Sequence, residues 1–208
     1  MIKKAVAFII IYIILVYGIY QLLINYKLRT KFYNLTKTDL MIACSLYQRE
    51  KALALIDESA YRLDTSDISG NTALMLACKN NLSEVALKII KKYSRRSGIE
   101  KYNIYSETPF FLSCKQQFMS QDVPLFIIKC MPYESDMGRV NINGDTALIW
   151  ACCNNKAEVV EKMIINYYDI CNPGNISNKK YTAFLFACTN GMSNIVDTMI
   201  KYPKIFNI

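Results

Sequence analysis

The sequence predicts an all-α solenoid of about five helix pairs behind one N-terminal membrane helix. Three observations carry this reading. A short threonine-led motif recurs five times at near-constant spacing. The twenty-residue run 5–24 contains no charged residue. The 208-residue chain has no histidine and only 7 glycines, which leaves little material for a catalytic or phosphate-cradling site.

The apolar run comes first in the chain. As a helix it would extend roughly 30 Å, the thickness of a bilayer's hydrocarbon layer. Gln21 stands near its end, at headgroup depth, and Tyr20 and Tyr26 are placed to act as interfacial anchors. A cleaved signal sequence has a shorter apolar core and a small-x-small cleavage site, and neither is present. A soluble helix that is apolar on every side would need protein around all of it. The run therefore reads as a signal-anchor segment over 1–26, followed by a basic juxtamembrane linker over 27–35. Lys3 and Lys4 precede the run while Lys27, Arg29 and Lys31 follow it, so the flanking charges do not orient it.

The repeat follows. Thr38-Asp-Leu-Met-Ile-Ala43-Cys44, Thr72-Ala-Leu-Met-Leu-Ala77-Cys78, Thr108-Pro-Phe-Phe-Leu-Ser113-Cys114, Thr146-Ala-Leu-Ile-Trp-Ala151-Cys152 and Thr182-Ala-Phe-Leu-Phe-Ala187-Cys188 are spaced by 34, 36, 38 and 36 residues. A period of this size marks a stacked array. Threonine caps a helix by accepting from an orphan backbone N–H, and Pro109 sits where a first-turn proline costs no hydrogen bond. The small Ala-Cys or Ser-Cys pair one turn later lets neighbouring helices approach. Amphipathic stretches from Ser83, Ala157 and Ser193 supply the second helix of their copies. Asn81, Asn155 and Gly191 fall in the turn between, as residues that accept a left-handed helix end. Gly70 and Gly144 lie in tight turns ahead of copies two and four.

These features resemble the ankyrin repeat, over roughly 36–202, with 203–208 left as a C-terminal tail. Copy one lacks the upstream glycine turn, as befits a capping repeat. Copy three is longer, its second helix beginning near Asp122 and about two residues late. The family usually carries histidine three residues after the threonine; Met41, Met75, Phe111, Ile149 and Leu185 stand there instead. The inter-loop hydrogen bonds of that histidine should be missing, with apolar packing in their place. The Ile-, Lys-, Asn- and Tyr-rich composition is similar to that of large DNA viruses with A/T-rich genomes, or of A/T-rich protists.

The resemblance implies a protein partner held on a concave surface of hairpin loops and first helices. By position, the candidate contacts are Asp67, Ser69, Asn71, Asn103, Glu107, Asn143 and Asp145 on the loops. Lys79, Lys115 and Asn154 extend from the first helices. No catalytic, cofactor or metal residues are assigned, and no nucleic-acid motif or small-molecule substrate site is visible. Lys91, Lys92, Arg95 and Arg96 read as a solvated basic cluster.

Cys44, Cys78, Cys114, Cys152 and Cys188 occupy one position of the repeat, too far apart for disulfides, and read as small buried hydrophobes. Unpaired thiols suit a reducing compartment, which places the repeats on the cytosolic side of a single-pass anchor. Sequons at Asn34, Asn81 and Asn175 point weakly the other way. The function expected is that of a membrane-anchored scaffold, not an enzyme. The alternatives are a secreted or lumenal effector with a cleaved signal, and a degenerate array with no partner.

Overall fold

A computed structural model describes Gln21, residues 37–57 and residues 63–208. The chain divides into two compact units, 1–37 and 38–208. Apart from Gln21, which is helical, the expected membrane helix lies outside the described residues. Among the described residues no helix is long and apolar enough to cross a membrane.

The second unit is all-helical among its described residues, without strands. Its helices come in pairs: α1 (Asp39–Ser45) with α2 (Arg49–Leu55), α3 (Ala73–Lys79) with α4 (Ser83–Tyr93), α5 (Pro109–Lys115) with α6 (Asp122–Cys130), α7 (Ala147–Cys153) with α8 (Ala157–Asn166), and α9 (Ala183–Thr189) with α10 (Ser193–Ile200). A 3₁₀ turn, Ser94–Ser97, extends α4.

Each first helix begins at its threonine. The hydroxyls of Thr38, Thr72, Thr108, Thr146 and Thr182 accept from the backbone N–H groups of Met41, Met75, Phe111, Ile149 and Leu185, at 3.1–3.4 Å. These helices stack in sequence, α1 on α3, α3 on α5, α5 on α7 and α7 on α9. Their apolar side chains form the core, with Leu74, Met75, Phe110, Phe111, Leu112 and Leu148 all buried.

Asparagine ties the stack at the other end of the first helices. The side-chain amide of Asn80 donates to the Cys44 carbonyl at 2.8 Å. That of Asn154 donates to Cys114 at 3.0 Å and Lys115 at 2.8 Å, and that of Asn190 to Cys152 at 2.7 Å and Cys153 at 3.0 Å. Each bond reaches carbonyls at the C-terminal end of the preceding first helix, where intrahelical donors run out. The turn that follows is left-handed at Asn81, Asn155 and Gly191, and also at Tyr47 in the first pair.

The third pair departs from this pattern. Its α6 begins at Asp122, fourteen residues after Thr108, where α4 and α8 begin eleven residues after theirs. The delay is three positions, one more than the spacing implied. The extra turn is pinned from both sides. The Ser120 N–H donates to Ser83 Oγ at 3.0 Å, and Lys156 Nζ donates to the Met119 carbonyl at 2.6 Å. Burial lowers the Lys156 pKa.

The tail is folded at its start. Pro203–Phe206 forms a short helix, α11, and Phe206 is buried. Four of the five ladder cysteines, Cys44, Cys78, Cys114 and Cys152, are buried, whereas Cys188 is exposed.

Candidate partner-binding face

Four hairpin loops share one design. Asp67 Oδ1 accepts from the N–H groups of Ser69 and Asn71, both at 2.9 Å. Asn103 Oδ1 does the same for Tyr105 and Glu107 at 2.9 and 3.0 Å, and Asn141 Oδ1 for Asn143 and Asp145, both at 2.9 Å. Ser177 Oγ holds Tyr181 N–H at 3.0 Å. Each is a side chain replacing a backbone acceptor in a tight turn. Two residues before the threonine the chain is left-handed, at Gly70, Ser106, Gly144 and Lys180.

Neighbouring hairpins are joined through the backbone. Ile104 N–H donates to the Ser69 carbonyl at 3.0 Å, Ile142 N–H to Tyr105 at 3.1 Å and Asn178 N–H to Asn143 at 3.0 Å. The absence of histidine thus leaves the loops in register. At the positions it would occupy, Met41, Met75, Phe111 and Ile149 are buried, while Leu185 is 43% exposed.

This architecture sorts the sequence candidates. Asp67, Asn71, Asn103, Glu107 and Asp145 are buried. The side chains of Asp67, Asn71 and Asn103 serve the hairpins, with Asn103 Nδ2 bridging to Asn71 Oδ1 of the preceding loop at 3.1 Å, whereas the carboxylates of Glu107 and Asp145 also meet Lys115 and Trp150 of the first helices. Asn154 is half-buried and bonded to the end of α5. Lys79 and Asn143 are exposed, and Ser69 and Lys115 are half-buried.

Sequence reasoning passed over what occupies the loop tips. Ile68, Ile104 and Ile142 recur four residues before their threonines and are 62%, 61% and 58% exposed. Tyr102 and Tyr105 are exposed beside Ile104, and the Arg139 guanidinium stacks 3.6 Å from the centre of the Tyr102 ring. The signal was an isoleucine at one repeat position in three loops, where turn chemistry asks for a polar residue.

Between loops and first helices runs an aromatic row. Lys115 Nζ lies 2.6 Å from Glu107 Oε1, 5.8 Å from the centre of the Phe111 ring and 5.6 Å from that of Trp150. Trp150 Nε1 donates to Asp145 Oδ2 at 3.2 Å. Tyr181 and Phe186 pack with ring centroids 5.2 Å apart.

The second helices present a different surface. A cavity of about 570 Å³ lies between α4, α6 and α8, lined in part by Lys91, Lys129, Lys162, Asp122 and Glu158. The basic cluster ahead of it is partly paired, Lys92 with Asp57 and Arg95 with Glu134.

The buried thiols are held neutral. Burial pushes those of Cys44, Cys114 and Cys171 up to about 12 and raises those of Cys78 and Cys152 as well.

No curated protein matches the chain. A family model described as ankyrin repeats, in three copies, matches residues 110–207. That stretch runs from α5 through α11 and takes in the last three helix pairs with the hairpins between them.

Proposed function

We propose that this chain is a membrane-tethered scaffold of five ankyrin-type units, and that its hairpin and first-helix face binds a partner protein. Ankyrin repeats generally mediate protein–protein contacts and typically carry no enzymatic activity. The observation that carries the reading is the row Ile68, Ile104 and Ile142, three exposed apolar side chains at one repeat position on loops locked in register. Exposed apolar side chains on a rigid frame are the usual material of a binding hot spot. Ser69, Lys79, Lys115 and Asn143 supply polar groups around them.

The tether is the uncharged run 5–24. The eight cysteines, with no disulfide among the described ones, suit repeats that face the cytosol. Proximity labelling from the C-terminus of the full chain tests the partner. Proteins enriched by the wild type should be lost when Ile68, Ile104 and Ile142 are all changed to serine. Enrichment that survives the triple change overturns the assignment of this face. Release of the chain from membranes by carbonate overturns the tether.

A further inference from the structure

The repeat register exposes a gap. In the third copy the residue seven after the threonine is Lys115. Its ammonium is held by Glu107, one before the threonine, and lies over Phe111, three after it. Trp150, four after the next threonine, covers its other side. One repeat later the frame persists. Asp145 replaces Glu107, Ile149 replaces Phe111 and Phe186 replaces Trp150. The lysine does not persist, because its position is taken by Cys153.

A cavity of about 160 Å³ lies there, lined by Asp145, Ile149, Trp150, Tyr181 and Phe186 together with Asn143 and Lys179. Three aromatic rings and a carboxylate thus surround a space that an ammonium fills in the preceding copy. Among the described residues Asp145 forms no salt bridge, and its carboxylate accepts from the neutral indole N–H of Trp150. The Cys153 thiol is raised by burial and then by the charge of Asp145, and position 153 is the repeat place of Lys115. Aromatic faces and a carboxylate together select a cation.

We propose that this cavity takes a lysine or arginine side chain of a bound partner protein, in the place that Lys115 fills one repeat earlier. The proposal rests on the partner-binding reading above and specifies part of that surface. Lys179, exposed and also lining the cavity, is the competitor that an incoming cation displaces.

Trp150 is the chain's single tryptophan, so its fluorescence reports on this cavity. The full chain is titrated with Nα-acetyl-lysine methylamide and Nα-acetyl-arginine methylamide, with the norleucine analogue as the uncharged match. Either cationic probe should give a saturable change in Trp150 emission that weakens with salt, and norleucine should give none. Asp145→Asn keeps an acceptor for the indole and should weaken binding about tenfold. Phe186→Leu should weaken it in the same direction. Cys153→Lys supplies an internal ammonium and should abolish the response while the thermal melt stays cooperative.

An equal response to norleucine, an unchanged affinity in Asp145→Asn, a full response in Cys153→Lys, or no response to either cation overturns the proposal. The probes contain no partner protein. Failure here together with isoleucine-dependent labelling removes the cation site alone, whereas normal titration with labelling that ignores the isoleucines removes the partner-binding assignment.

Discussion

The side-chain amide of Asn154 donates to the main-chain carbonyl of Cys114 across one repeat, at 3.0 Å. It also reaches Lys115, so a single residue caps the end of α5 from the neighbouring unit. Asn154→Ala leaves both carbonyls to water or to nothing, and should cost about 1–2 kcal/mol. Asn80→Ala should cost about 1 kcal/mol for its single bond. Asn190 is more exposed and its loss should cost less. Denaturant titration of the full chain checks the order.

Gly144 should resist substitution more than Gly191, although both have positive φ. A Cβ at Gly144 would lie 2.7 Å from the Asn178 backbone nitrogen and 2.6 Å from its Oδ1, while Gly191 has nothing within 4 Å. Gly144→Ala should cost about 2–3 kcal/mol and Gly191→Ala about 1 kcal/mol. Paired thermal melts decide it.

Alkali should weaken the array through its thiols. A folded pKa above the unfolded one means the buried group stays protonated while the unfolded chain ionises. The stability it contributes is present below the unfolded value of 9.0 and falls as the pH rises toward about 12. Each such thiol adds about 1.4 kcal/mol of loss per pH unit in that window. Cys44→Ala should lower stability at neutral pH yet show a shallower decline above pH 9. Melts across the window measure the slope.

Maleimide labelling should divide the thiols. Cys130 and Cys188, both exposed, should react at once in the native chain, and Cys153 more slowly. Cys44, Cys78, Cys114, Cys152 and Cys171 should react only after unfolding. Peptide mass mapping reads the order, and rapid native labelling of Cys78 would contradict the stacking of α1, α3 and α5.

The isoleucine tips should matter for binding and little for folding. Ile68→Ser, Ile104→Ser and Ile142→Ser should each change stability by less than about 0.5 kcal/mol, because none of them packs in the core. Differential scanning calorimetry on the triple variant provides the check.

The first helices were legible in the sequence because their signals are local. A threonine cap, a proline in the first turn and an apolar run all act within a few residues. The hairpins were half legible. Gly70 and Gly144 announced left-handed turns, but Ser106 and Lys180 take the same conformation with nothing in their identity to say so. Asn80, Asn154 and Asn190 bond across a whole repeat, and a local reading assigns asparagine there to the turn. The exposure of the candidate surface was only partly legible for a related reason. Asp67 and Asn103 look like solvent-facing loop residues, yet the turns bury them, and the exposed tips went to isoleucine.

The last helix pair contributes least to the core. In α9 only Ala183 and Ala187 are buried, and in α10 only Ile195 and Met199, against six buried residues in each of α3 and α5. In a nearest-neighbour array such an end opens first, and its amide protons should exchange with deuterium sooner than those of α3 or α5. Tyr181 and Phe186 belong to this pair. One wall of the aromatic cavity therefore stands on a helix pair with few buried residues, and occupancy should register as slowed exchange in α9. The array would act there as a clasp, with a firm jaw at Trp150 and a soft one that closes on what it holds.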